Sequence, residues 1–220
     1  MSVNLVIPIW KPVNWTSFDV VKKIRNILKI KKVGHAGTLD PFAEGILIVC
    51  TGNKTSHVEK FMNLEKEYEG IIKLGCRTPT LDPESDINEF KDFKPISLKA
   101  LNEIKNNFIG TIDQIPPQYS AIKHKGKPIY KYARSNIRID LPPRKVNIYE
   151  FDIQKFVDDR IYFKITCGRG TYIRAIARDI GLRLGTYGYL LELKRNRIGE
   201  YDTDKAIKIN NIDKWLYTKI

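Results

Sequence analysis

Two long segments of alternating polar and apolar residues constrain the fold of this chain most. They run from Lys145 to Phe156 and from Arg160 to Cys167, and the acidic pair Asp158-Asp159 lies between them. Alternation with a period of two is typical of strands that bury one face, and a short polar linker between two such segments indicates a hairpin. The sequence therefore predicts an antiparallel hairpin over residues 145–167.

Segments with helical spacing are interspersed with the predicted strands. Thr16 or Ser17 can cap a helix that continues to about Ile30, and a second amphipathic helix runs from Ile173 to Leu184. Further strands are predicted at 45–50, 66–74 and 190–198, and further helices at 54–64, 97–109 and 212–216. Because these elements do not form a regular βα repeat, we expect an α+β fold with a central mixed, largely antiparallel sheet flanked by helices.

Length and composition predict one compact domain over residues 1–220. The chain is 42% hydrophobic, which is enough for a sizeable core. Its first residues are interrupted by Pro8 and Lys11 too early for a signal peptide, and no segment reaches membrane-spanning length, so we expect a cytoplasmic protein. The three cysteines are scattered and lack C-x-x-C spacing, which indicates buried thiols in place of disulfides or a zinc site.

The net charge of +13 makes nucleic acid the leading class of partner. The alternative is that abundant Lys, Asn and Ile reflect a biased coding sequence and a merely solvated surface. A segment from Pro116 to Pro143 is bracketed by prolines and rich in Lys, Arg and Tyr, which indicates an exposed insertion.

Several common catalytic motifs are absent from the sequence. There is no complete phosphate-binding loop, no G-x-G-x-x-G and no G-x-S-x-G, and the histidines lack metal-ligand spacing. What remains is Gly34 to Pro41, GHAGTLDP, in which Asp40 precedes a proline and two glycines allow a sharp bend. Such a loop can present a reactive carboxylate, or its carboxylate can form an ordinary Asx turn. Both interpretations stay open from these residues alone.

The loop belongs to an ordered series of short motifs along almost the whole chain. They include Trp10-Lys11-Pro12, Lys66-Glu67-Tyr68, Asp82, Pro116 to Lys123, Cys167 to Arg174, and Leu193-Lys194-Arg195. Together with His35 to Val49, this series resembles the bacterial tRNA pseudouridine-55 synthase family, TruB. The resemblance implies a pseudouridine synthase fold that isomerises uridine to pseudouridine in the T loop of tRNA.

The resemblance also implies roles for individual residues. Asp40 would be the nucleophile, Arg174 its ion-pair partner, and Tyr68 a stacking residue that is a candidate to accept the carbon-5 proton of the base. No cofactor and no metal are implied. The substrate-binding residues would be His35, Tyr68, Tyr172, Leu193 and Lys11, with Lys11 as an RNA contact.

The implied partner is the T-arm stem-loop of tRNA, bound by a monomer without an obligatory protein partner. Residues 124–149 correspond to a mobile RNA-binding segment, whereas the C-terminal PUA domain common in the family is not expected here. Two alternatives stay open: a guide-RNA-dependent synthase that acts on ribosomal RNA, and a noncatalytic tRNA-binding folding chaperone.

Overall fold

The structure is a computed structural model that describes residues 3–218, and the chain divides into two compact units. The first unit comprises Met1–Glu69 and Leu193–Ile220, and the second comprises Gly70–Glu192. No linker in the sequence marks this division, because both boundaries fall inside strands.

Strands and helices follow one another without a regular repeat. The strands are β1 (Val6–Lys11), β2 (Val33–Ala36), β3 (Glu44–Thr51), β4 (Lys66–Leu74), β5 (Cys76–Arg77), β6 (Glu89–Phe90), β7 (Gly110–Gln114), β8 (Lys123–His124), β9 (Lys127–Pro128), β10 (Arg144–Val157), β11 (Arg160–Cys167), β12 (Gly188–Ile198) and β13 (Ile207–Lys208). The α-helices are α1 (Ser17–Leu28), α2 (Val58–Asn63), α3 (Leu98–Asn106), α4 (Ile129–Arg134), α5 (Ile173–Arg183) and α6 (Ile212–Tyr217). Short 3-10 helices occupy Gly52–His57 and Ile209–Asn211.

Strand pairing is mixed and mostly antiparallel. In the first unit, β3 pairs antiparallel with β1 and β2 and parallel with β12, and β1 pairs parallel with β13. In the second unit, β10 pairs antiparallel with β11 and β7. Helices cover these strands in each unit, which confirms the predicted α+β fold with a mixed, largely antiparallel sheet.

Helix α1 packs one apolar stripe onto the first unit's strands. Thr16 caps the helix through a capping box with Asp19, and the helix ends at Lys29, whose backbone is left-handed. Its buried residues join β1, β3 and α6 in a single core. The sequence predicted this helix because its stripe has helical spacing and its cap is a Thr-Ser pair.

The hairpin predicted from residues 145–167 is confirmed as β10 and β11 in the second unit. Phe151 of β10 lies edge-to-face against Phe163 of β11 and against Phe108, which follows α3. Helix α5 buries Ile173, Ile176 and Ile180, as its spacing predicts.

Several short elements were not predicted from the sequence, among them β1, β2, β7 and α4, and one predicted boundary differs. Strand β1 is not predicted, because it contains Pro8, a residue that cannot donate a main-chain hydrogen bond and is rare inside sheets. Residues 144–149 lie in β10, so the expected insertion over residues 124–149 ends at residue 143.

The cysteines are free, buried thiols as predicted, and burial raises the pKa of Cys50 to about 11. Between residues 3 and 218, no helix is long and apolar enough to cross a membrane.

Candidate active site

The loop that carries Asp40 connects β2 to β3 in the first unit. Gly37 has φ +80, a left-handed conformation that favours glycine, and the backbone N–H of Ala43 donates to the carbonyl of Asp40 at 3.2 Å. Leu39 is buried, and the neighbouring residue Asp40 is partly exposed. The loop is therefore anchored next to a residue that is not fully buried.

Ser17, in the first turn of α1, fixes the residue that precedes Asp40. Its Oγ accepts a hydrogen bond from the N–H of Leu39 at 2.9 Å and donates one to the carbonyl of Leu39 at 3.1 Å. Ser17 is only 3% exposed. A single hydroxyl thus satisfies both main-chain groups of Leu39, which water would otherwise reach poorly.

Lys11, at the end of β1, fixes the residue that follows Asp40. Its Nζ donates to the carbonyls of Trp15 at 2.6 Å, Pro12 at 2.8 Å and Pro41 at 3.3 Å, and the side chain is completely buried. The N–H of Asn14 also donates to the carbonyl of Pro41, at 2.8 Å. The RNA contact predicted for Lys11 does not fit this position, because a buried ammonium that serves three carbonyls is not presented to a ligand.

Arg195, on β12, fixes the start of the loop. Its Nε donates to the carbonyl of Ile46 at 2.7 Å, its Nη2 to Gly37 at 3.1 Å and its Nη1 to Thr38 at 3.4 Å. Arg195 is 1% exposed, and its guanidinium lies 6.0 Å from the centre of the Tyr68 ring. Arg195 has no role in the sequence predictions, although period-two alternation places it on the same buried strand face as Leu193.

His35 lies on β2 and is uncharged near neutral pH. Burial lowers its pKa below the ordinary value of 6.5, the positive charge of Arg195 lowers it further, and the carbonyl of Gly37 opposes this shift. Its Nδ1 is buried and has no hydrogen-bond partner among the described residues. A neutral imidazole with one free ring nitrogen can donate to or accept from a polar ligand.

Tyr68 and Leu193 are also residues of the first unit, on β4 and β12. Both are 8% exposed. Tyr68 presents the face of its ring to the Arg195 guanidinium, which is a cation–π arrangement. Of the predicted site residues, the first unit therefore contains Lys11, His35, Asp40, Tyr68 and Leu193.

Arg174 lies in the first turn of α5, in the second unit, and is 6% exposed. Its Nη1 donates to Asp82 Oδ2 at 3.0 Å and to the carbonyl of Thr80 at 2.9 Å, and its Nη2 donates to the carbonyl of Tyr119 at 3.0 Å. Asp82 is completely buried and also accepts from the N–H of Glu84. The sequence assigned no role to Asp82, which is a carboxylate partner of Arg174.

Tyr172 precedes α5 and is held by its main chain. The side-chain amide of Gln114, on β7, accepts from the Tyr172 N–H at 2.8 Å and donates to the Tyr172 carbonyl at 3.2 Å. Gln114 is buried. The second unit thus positions Tyr172 and Arg174 together, two residues apart at the start of one helix, while the pairing of Arg174 with Asp40 stays a prediction.

The described residues offer no obvious metal centre. Across residues 3–218, no group of three or more His, Cys, Asp or Glu side chains is arranged to hold a metal ion. The first unit contains a carboxylate on a tightly held loop, a neutral imidazole and a phenol.

Comparison with protein families identifies the family of this chain. The model of the TruB family pseudouridylate synthases, N-terminal domain, matches residues 25–173. The chain belongs to the TruB family. Curated relatives from this family match it over nearly its whole length: tRNA pseudouridine synthase B of Clostridium tetani is 43% identical over 96% of this chain and 73% of the relative. The protein of the same name from Parabacteroides distasonis is 42% identical over 94% of this chain and 90% of the relative.

Solved structures agree with this TruB assignment at the level of the fold. A Cbf5-Nop10-Gar1 complex contains a chain that is 27% identical with a TM-score of 0.75, and the match covers 96% of this chain and 54% of that one. An H/ACA RNP bound to a substrate RNA containing 2'-deoxyuridine matches at 25% identity and a TM-score of 0.71, over 96% and 53% of the two chains. The chain thus spans about half the length of these solved structures.

Proposed function

We propose that this TruB-family chain converts uridine to pseudouridine at position 55, in the T loop of tRNA. The observation that carries the proposal is the Asp40 loop, in which hydrogen bonds hold the main chain on both sides of this partly exposed residue. Relatives named tRNA pseudouridine synthase B, about 40% identical over nearly the whole chain, support the same activity.

The proposed reaction is an isomerisation that consumes no second substrate. The bond from N1 of the base to C1' of the ribose breaks, and a bond from C5 to C1' forms. The proton that C5 loses is balanced by the one that N1 gains. Asp40 serves as the nucleophile, and it must be ionised to do so. A held loop favours this role because it fixes the carboxylate before the substrate arrives.

Three residues of the first unit would contact the base. Tyr68 would stack on it and is the candidate to accept the C5 proton, Leu193 would form an apolar wall, and His35 would contact it as a neutral hydrogen-bonding group. A base buried in a folded tRNA loop must be flipped out to reach them. Of the residues in the second unit, we propose that Tyr172 lines the pocket and that Arg174 pairs with Asp40.

The exposed segment from 123 to 143 would bind the phosphates of the T arm. Its helix α4 is anchored by the buried Ile129, while Arg134 lies over the Tyr130 ring at 5.4 Å. Its cationic side chains are exposed, as phosphate contacts require. They are Lys123, Lys125, Lys127, Lys131, Arg134 and Arg138.

We propose that the chain acts as a monomer without a protein partner. The guide-RNA-dependent alternative is the less supported, because identity to the Cbf5 chain is 27%, against 43% for the Clostridium tetani tRNA enzyme. An assay with the purified chain and unmodified tRNA as the only macromolecules separates these alternatives, since a guide-dependent enzyme is inactive under those conditions.

The test is chemical mapping of pseudouridine in a tRNA transcript after incubation with the pure protein. We expect conversion at position 55 and none in a transcript with cytidine there. Asp40→Asn, nearly isosteric but a poor nucleophile, should abolish conversion and leave tRNA affinity within a few-fold. Conversion by Asp40→Asn would contradict the assigned nucleophile, and tRNA binding by the wild type without any conversion would favour the chaperone alternative.

A further inference from the structure

We infer that Arg195 is the positioning residue that sets the Asp40 loop against Tyr68. The inference rests on the proposed function, because positioning matters only if Asp40 and Tyr68 act on the same base. It assigns Arg195 no contact with the substrate. Its role is to hold two groups that make such contacts.

The charge of Arg195 lies in an unusual environment. A buried cation normally lies beside a carboxylate, since removal from water is costly without a compensating partner. Arg195 is 1% exposed, its hydrogen bonds go to main-chain carbonyls, and no carboxylate of residues 3–218 forms an ion pair with it. These three main-chain carbonyls therefore compensate the charge of Arg195.

The carbonyls that Arg195 binds lie at both ends of the loop. Gly37 and Thr38 lie at the beginning of the loop, whereas Ile46 lies beyond its end, on β3. One guanidinium thus ties the two ends of the loop together. Its planar fork of five N–H donors suits three acceptors in different directions, which a lysine ammonium at the same site would not match in geometry.

Strands β12 and β3 approach each other closely at Arg195. Arg195 lies opposite Gly45 in the parallel pairing of β12 with β3. A Cβ added to Gly45 would lie 2.3 Å from the carbonyl oxygen of Arg195 and 2.6 Å from its nitrogen, and Gly45 has φ +124. A glycine is therefore required for β12 to lie close enough to bring the Arg195 side chain under the loop.

Arg195 also connects the loop to Tyr68. The Arg195 guanidinium lies 6.0 Å from the centre of the Tyr68 ring while it binds the loop carbonyls. Both contacts lie within the first unit. Since the same rigid group binds the loop and lies over the Tyr68 ring, a change at Arg195 should move the Asp40 loop and the Tyr68 ring relative to each other.

The test compares Arg195→Met and Arg195→Lys with Arg197→Met. Arg197 is the matched control, since it lies on the same strand but pairs with Glu65 and Glu67 and binds no part of the loop. For each protein, tRNA affinity, the single-turnover rate of pseudouridine formation, and hydrogen–deuterium exchange of peptides over residues 36–43 are measured.

We expect Arg195→Met to bind tRNA within about three-fold of the wild type, while its single-turnover rate falls roughly a hundred-fold, as misplacement by about 1 Å can cause. Exchange should rise in the loop peptides and not in peptides from α5. Arg195→Lys should recover part of the rate, because it restores the charge but not the fork, and Arg197→Met should match the wild type.

Two results would overturn the inference. One is an Arg195→Met protein that folds, keeps its loop exchange and keeps its rate. The other is a loss of rate that is matched by an equal loss of tRNA affinity, which would indicate substrate binding. If Arg195→Met does not fold, Arg195→Lys supplies the same comparison. If the wild type forms no pseudouridine, the proposed function fails, whereas loop exchange still tests the role of Arg195 in the fold.

Discussion

Replacement of Ser17 by alanine should slow catalysis without touching any residue assigned to the reaction. Ser17 is 3% exposed, and its hydroxyl serves both the N–H and the carbonyl of Leu39, next to Asp40. In Ser17→Ala these two main-chain groups lose their partner in a site that water reaches poorly. Each buried polar group left unsatisfied costs about 1–3 kcal/mol, so the loss of a partner for two such groups should cost about 2–6 kcal/mol of folding free energy.

Thr16→Ala provides a matched comparison at the neighbouring position. Thr16 is exposed and caps α1 through its bonds with Asp19, without any contact to the loop. Loss of an N-cap costs about 0.5–2 kcal/mol of stability. Both variants therefore destabilise the start of the same helix, but only Ser17→Ala releases the loop.

The assays are urea denaturation and single-turnover pseudouridine formation at a temperature where both variants are folded. Ser17→Ala should lower the rate between about ten-fold and a hundred-fold, since small shifts of a reactive group have effects of this size. Thr16→Ala should react at the wild-type rate. Equal rates for the two variants would refute the idea that the hydrogen bonds between Ser17 and Leu39 position Asp40.

Three further predictions concern charge. Binding of tRNA should weaken steeply with salt, by roughly a decade or more for a few-fold rise in ionic strength if several phosphates are contacted, and a flat profile in a filter-binding assay would contradict the RNA interface. Asp82→Ala should lower the free energy of unfolding by about 3–5 kcal/mol, because it leaves the buried Arg174 guanidinium without this carboxylate, and a urea titration measures the loss. The pKa of His35 is below 6.5 in the folded chain, so the wild type should lose stability as the pH falls from 6.5 towards that lower value, and His35→Asn should lose less. His57→Asn, at an exposed histidine, should follow the wild type in the same denaturation series.

Local patterns were enough to predict the longest helices and strands of the fold. The stripe and cap of α1, the alternating segments of β10 and β11, and the spacing of α5 each satisfy one local rule, and the structure follows it. Strand β1 was missed, since Pro8 contradicts the local rule for strands, and its pairing with β3 joins residues about 40 positions apart. Long-range pairing of this kind leaves no trace in a short window of sequence.

Some residues of the candidate site could likewise be predicted from short stretches of sequence, and others could not. Asp40, His35 and Tyr68 are visible in the sequence because they lie in short motifs of recognisable composition. The residues that hold the loop, Ser17 and Arg195, lie 22 and 158 positions from their loop partners. Ser17 is locally typical of a helix cap, and period-two alternation places Arg195 on the strand face of Leu193 without indicating what it binds.

Lys11 illustrates why charge in a sequence is a poor guide to exposure. The resemblance to the TruB family implied an RNA contact for Lys11, which fits a chain with a net charge of +13. The structure instead buries it completely, because three carbonyls that lie close together replace the water around its ammonium. Arg195 follows the same principle on the other side of Asp40. Carbonyls of a loop that point into the protein need hydrogen-bond donors there, and a buried lysine or arginine supplies several donors from one side chain. Lys11 and Arg195 thus support the structure of the loop. Mutagenesis of basic residues must separate these two from the exposed lysines of residues 123–143 before any loss of activity is attributed to RNA binding.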